Sequence, residues 1–162
     1  MTTESVSPIA QALGRIPSGM FIVSARDDAG VEGAFLASWV MQAGFEPPML
    51  SVGVGSDRAL RQLLDADGAR FAVSVIASEE KKQLGPYYKG IDPAPDALAA
   101  FEVERTESGL AVVARCLAWL ECTRRASVEV GDHCIVLGEV TDARGGRAEE
   151  PAVHTRSNGL SY

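Results

Sequence analysis

The chain has 162 residues, 46% apolar and 23% charged, a length and balance that suit one packed core and exclude a disordered or fibrous polymer. A formal net charge of -7 and an isoelectric point near 4.8 argue against nucleic acid or an anionic membrane surface as a partner, since both select basic faces. Met1–Ser5 lacks the basic start of a leader, and no stretch approaches the roughly 18 apolar residues of a membrane span, so a cytoplasmic chain forming a single domain over residues 1–162 is expected.

In chain order, Ser7 is a plausible N-cap ahead of Pro8, and Ile9, Leu13 and Ile16 follow at helical spacing, which predicts a short opening helix over residues 8–16. Gly19–Arg26 reads as a strand, Asp27–Gly30 as a turn, and Ala34–Ala43 as its extended partner. After Pro47–Pro48, Met49–Val54 makes a further strand whose small residues permit close approach by a ligand or a backbone. Asp57–Leu64 carries Leu60, Leu63 and Leu64 on one helical face, with Ser56 at its N-cap and Arg58 in its first turn. Phe71–Ile76 returns to strand, Glu79–Leu84 to a short helix, and Gly85–Pro95 to a loop holding Tyr87 and Tyr88. Residues 111–124 suit helix or a long half-buried strand. Strand is preferred, because Gly131 and Ile135–Val140 supply a hairpin partner. At least six strands, mostly with short connections, and helices at the margins imply a mainly β antiparallel barrel, which removes exposed edges.

The odd cysteine count (Cys116, Cys122, Cys134) and the lack of a C-x-x-C pair point to buried, reduced thiols. Those cysteines with His133 and His154 match no compact zinc pattern, so no metal is expected. Gly53–Arg58 lacks the third glycine and the repeated βα units of a dinucleotide fingerprint. Ser56, Asp57 and Arg58 admit two readings: an ordinary cap with a solvated arginine, or a helix N-terminus and guanidinium that receive a phosphate. Ala37 and Trp39 should share one strand face with Ser38 opposite, Trp39 serving either as core or as a ligand contact. His133, after Gly131–Asp132, is either a turn histidine or a group at a barrel rim.

Taken together, Gly19–Ala25, the run Ala34-Phe35-Leu36-Ala37-Ser38-Trp39-Val40-Met41-Gln42 through Pro47-Pro48-Met49, and Gly131-Asp132-His133 through Val140 resemble the flavin reductase-like, FMN-binding split-barrel family. The likeness extends to His154, Arg156 and Asn158–Tyr162. It implies a six-stranded antiparallel Greek-key split barrel with short flanking helices, binding FMN with FAD as the alternative. Leu36, Ala37, Ser38, Trp39 and Gln42 then match the segment along the flavin, and Ser56, Asp57 and Arg58 the turn at its phosphate. His133 becomes the catalytic candidate near the docked nicotinamide, with Tyr88, Arg156 and Tyr162 as weaker substrate-binding candidates. Leu36 stands where many relatives have threonine, and Tyr87–Tyr88 where many have a His-Phe pair.

The function implied is an NAD(P)H-dependent flavin reductase passing hydride from NADH or NADPH to flavin N5. The alternatives are an FMN-binding electron carrier or sensor reduced by a protein partner, and a barrel that has lost flavin. The resemblance also implies a homodimer whose second subunit completes the flavin site, with a flavin-dependent oxygenase or another electron acceptor downstream.

Overall fold

A computed structural model describes residues 6–88 and 96–161, with the side chains of 86–88 outside the description. It is mainly β, with a large antiparallel sheet and a few short helices. Helix α1 (Pro8–Gly14) opens as expected: the Ser7 hydroxyl accepts from the Ala10 N–H at 3.2 Å, and Pro8 occupies the first turn. There follow β1 (Ser18–Gly19), β2 (Phe21–Arg26), β3 (Glu32–Ala37), β4 (Val40–Phe45), β5 (Pro48–Gly55), α2 (Leu60–Asp65) and β6 (Arg70–Val75). After 3-10 helices at Ser78–Tyr88 and Ala97–Ala100 come β7 (Val103–Arg105), β8 (Ala111–Val113), β9 (Ala118–Val130), β10 (His133–Arg144) and β11 (Val153–His154). No helix among the described residues is long and apolar enough to cross a membrane.

Seven strands pair in the order β3-β2-β6-β9-β10-β5-β4, every pair antiparallel. The expected hairpins are present: β2 with β3 around Asp27–Gly30, and β9 with β10 around Gly131, which takes the left-handed φ of +66° that such a tight reversal needs.

Three expectations are corrected. The run 34–43 is not one strand: β3 pairs with β2, β4 pairs with β5, and the chain changes partner at Ser38–Trp39, so the sheet has seven strands rather than six. Residues 111–124 are likewise two pieces, β8 in a small sheet with β7 and β9 in the large one. The segment at Glu79–Leu84 is part of a 3-10 helix that runs on to Tyr88.

The core has two main compartments, set by alternation along the strands. Val23, Ala25, Val52, Val54, Phe71, Val73 and Val136 fill one beneath α2. Met20, Ile22, Ile76, Leu84 and Leu98 fill the other beneath the 3-10 helices. Two buried serines tie β8 across the sheet: Ser24 Oγ donates to the Ala111 carbonyl at 2.5 Å, and Ser74 Oγ accepts from Val113 N at 3.1 Å. Phe71 is fully buried against Gly138, where a Cβ would lie 2.4 Å from its ring. Phe71→Ala should therefore cost about 3–5 kcal/mol by urea denaturation. A loss below about 1 kcal/mol would mean the site collapses without a cavity.

Candidate functional site

Strand β5 turns Leu50, Val52 and Val54 into the core, which leaves Ser51, Gly53 and Gly55 on the opposite face. Gly53 is the floor for Trp39: a Cβ there would stand 3.0 Å from both Cβ and Cε3 of the tryptophan, so the indole lies on bare backbone. The contact is reinforced by Gly53 N, which donates to the Trp39 carbonyl at 2.8 Å. Two further groups meet the indole. The His133 ring lies 4.7 Å away between centroids, tilted by 46°, and the Arg156 guanidinium sits over the ring face at 5.2 Å.

His133 begins β10 directly opposite Gly55, and its hairpin tip is braced from several sides. Ser56 N donates to the Asp132 carbonyl at 2.9 Å, while Arg61 links α2 to the tip by donating to Asp65 at 2.7 Å and Glu129 at 2.5 Å. His133 Nδ1 and Asp132 Oδ1 are 2.8 Å apart, and that contact holds the Asp132 carboxyl below the usual carboxylate range. Segments 38–39, 53–58 and 131–133 thus converge with Arg156 on one face of β5.

The individual candidates divide by what their side chains can reach. Ala37 is buried in the first core compartment and Leu36 packs on the second, so along this stretch the main chain and Ser38 are what can face a ligand. Ser38 Oγ is buried with no hydrogen-bond partner among the described residues, a polar atom that a ligand's donor or acceptor would satisfy. Trp39 is not in mid-strand. It lies at the partner change and is 39% exposed, so the expected face sharing with Ala37 does not hold. Gln42 is exposed on the edge strand β4.

The helix expected from Asp57 starts later: α2 begins at Leu60 with Ala59 as its cap. Ser56 caps no helix, and Arg58 precedes the first turn. What remains is a tight turn, closed by Arg58 N donating to the Gly55 carbonyl at 3.1 Å. Asp57 and Ser56 are exposed in it, and half-buried Arg58 makes no side-chain hydrogen bond or ion pair among the described residues. Tyr88 closes a 3-10 helix with its side chain outside the description, and Tyr162 lies outside the described residues.

Sequence reasoning gave no role to Asp132 or Arg61: the Asp132 carboxylate meets the adjacent His133 ring, and Arg61 reaches Glu129 far along the chain. Cys116, Cys122 and Cys134 are buried free thiols, and desolvation pushes Cys122 up to about 12. The Ser38 hydroxyl, the half-exposed Trp39 indole over glycine backbone and the Arg58 guanidinium, which makes no side-chain hydrogen bond among the described residues, suit a planar aromatic ligand that carries an anionic group.

A family model described as flavin reductase like domain matches residues 13–159. Diflavin flavoprotein A 1 of Synechocystis is 36% identical over 158 residues, a match covering 96% of this chain and 27% of that protein. This chain therefore spans about a quarter of the length of the curated relatives it matches. Among solved structures, an NADH:FAD oxidoreductase of Streptomyces globisporus in complex with NAD and FAD fragments superimposes with a TM-score of 0.79 at 26% identity, covering 94% of this chain and 93% of that one. The styrene monooxygenase flavin reductase of Pseudomonas putida shares the fold, with a TM-score of 0.74 at 24% identity over 93% of this chain and 94% of that one.

His154 on β11, two residues before Arg156, carries a testable pH dependence. Burial, with Lys81 and Arg156 nearby, pushes the His154 imidazole below its ordinary value. The unfolded chain then binds this proton more readily, so stability falls as the pH drops below about 6.5. The urea midpoint should fall less between about pH 7 and pH 5 in His154→Gln than in the parent, and an equal fall would remove His154 from that dependence.

Proposed function

The chain belongs to the flavin reductase-like domain family, and from that premise we propose that it is an FMN-binding, NAD(P)H-dependent flavin reductase. The single observation that carries this reading is the convergence of Ser38, Trp39, Arg58 and His133 around the glycine face of β5, each on a segment matched to the flavin or nicotinamide side of such a site. The bound cofactors supply the bond chemistry, hydride passing from nicotinamide C4 to flavin N5, and the chain supplies orientation and electrostatics.

In this reading Ser38 Oγ and the adjoining main chain meet the polar edge of the flavin, while Gly53 and Gly55 admit the close approach of the Trp39 indole and of the Asp57 carboxylate that shape the site. Arg58, helped by the backbone of the 55–58 turn, holds the phosphate in place of the helix terminus expected from the sequence. His133, oriented by Asp132, positions the nicotinamide. Hydride transfer to N5 requires no acid at that atom, so its role is alignment and charge balance.

The split-barrel and homodimer readings belong to the same proposal. The outer strands β3 and β4 are consecutive in the chain, which supports closure. Met41 and Phe45 on edge strand β4 are 69% and 88% exposed, apolar surface that a second copy would cover. A second reading, an electron carrier reduced by a protein partner, is favoured by the curated relatives, diflavin flavoproteins of which this chain matches only a part. It would keep the Arg58 phosphate site and dispense with the nicotinamide pocket.

Arg58→Ala should weaken FMN about 10- to 100-fold by fluorescence titration and leave riboflavin nearly unchanged, because the lost contact is to phosphate. Parallel loss of both ligands would place Arg58 elsewhere. His133→Ala should slow flavin reduction by at least about ten-fold while changing FMN affinity less than about three-fold. Equal reduction rates in mutant and parent would remove the positioning role.

A further inference from the structure

Resting on the reductase reading, we infer that Gly14 and Gly159 are positioning residues that set Arg156 over Trp39, so that the docked 153–159 segment forms one wall of the nicotinamide side. The observations are steric. A Cβ on Gly14 would fall 2.2 Å from the Arg156 carbonyl oxygen, and one on Gly159 would fall 2.3 Å from Leu13 Cβ and 2.5 Å from Gly14 N. Those neighbours are backbone atoms and a Cβ, which no rotamer change can move aside.

The approach is locked by two hydrogen bonds. Arg156 N donates to the Gly14 carbonyl at 2.9 Å, and Gly159 N to the Ala10 carbonyl at 2.7 Å. It continues in the β1–β11 pairing, Ser18 opposite His154 and Gly19 opposite Val153. The segment is thereby fastened along α1 and β1, and from this fastened backbone the Arg156 side chain reaches the indole face. Trp39 in turn meets His133, which the proposed function assigns to the nicotinamide.

Two consequences follow for the reaction. The guanidinium restrains the indole that packs on His133, and it supplies a cation on the side where a donor with an anionic pyrophosphate would dock. Donor binding therefore depends on the 14–159 contact. FMN affinity, carried by Arg58 and the 36–38 segment, does not.

The test uses Trp119→Phe protein, in which Trp39 is the remaining tryptophan of the two, and reads acrylamide quenching without flavin together with KM and kcat for NADH and NADPH in the FMN-loaded chain. Gly14→Ala and Gly159→Ala should each raise the quenching constant about two-fold and the donor KM about three- to ten-fold, with kcat and FMN affinity within about two-fold. Arg156→Gln should reproduce the KM change without touching the backbone, and Arg156→Lys should restore part of it, which keeps the test decisive if either glycine variant fails to fold. An active parent whose Arg156→Gln variant keeps the parental KM overturns this inference alone. A flavin-loaded parent that neither donor reduces overturns the proposed function and the nicotinamide role with it.

Discussion

The change of strand partner at Ser38–Trp39 is the constraint on which the rest of the arrangement depends. Up to Ala37 the chain is hydrogen-bonded to β2, and from Val40 it is bonded to β5 at the far edge of the sheet. Between them the peptide must leave one ladder and enter another, which frees Trp39 from the strict alternation of a strand. The indole can then lie against β5, so close to residue 53 that a Cβ there would press on it. That pressure would shift the ring that His133 and Arg156 both contact.

The remaining parts of the site are held largely by backbone contacts, with one long side chain, Arg61, as a brace. The 55–58 turn and the 131–133 turn are joined by the Ser56–Asp132 hydrogen bond, and Arg61 braces the same hairpin from α2. Arg156 is delivered by a segment docked on α1 through glycine contacts. Backbone anchoring of this kind meets its entropy cost on folding rather than on ligand binding, which would suit the proposed task of holding two ring systems in register. The polar groups left over, Ser38 Oγ and the Arg58 guanidinium, are those that a flavin and its phosphate would use.

Much of the fold was legible locally. Ser7-Pro8 announced α1, Asp27–Gly30 and Gly131 announced two hairpins, and the strand expected at Met49–Val54 lies within β5. Breaks caused by distant partners were not. Nothing between Ala34 and Ala43 marks a turn, because the exchange of β2 for β5 is decided by strands elsewhere. The same holds for residues 111–124, where β8 leaves to pair with β7. The leucines of α2 were read correctly, but its start was placed too early, since Ser56 and Asp57 are equally good turn residues and Ser56 is claimed by the Asp132 carbonyl. For the site, spacing alone left Ser38, Trp39, Arg58 and His133 with ordinary structural explanations. Family resemblance singled them out, and their convergence in space is the independent support. The Arg156–Trp39 contact and its glycine supports had no local signal at all.

The most direct test of the central claim is anaerobic stopped-flow absorbance of the FMN-loaded chain mixed with NADH and, separately, NADPH, with free FMN as control. Rapid bleaching of the bound flavin that saturates with one donor is the predicted result, and it names that donor. Flavin that binds but stays oxidised with both donors would contradict the reductase account and favour an electron carrier, and failure to bind flavin would contradict the site itself.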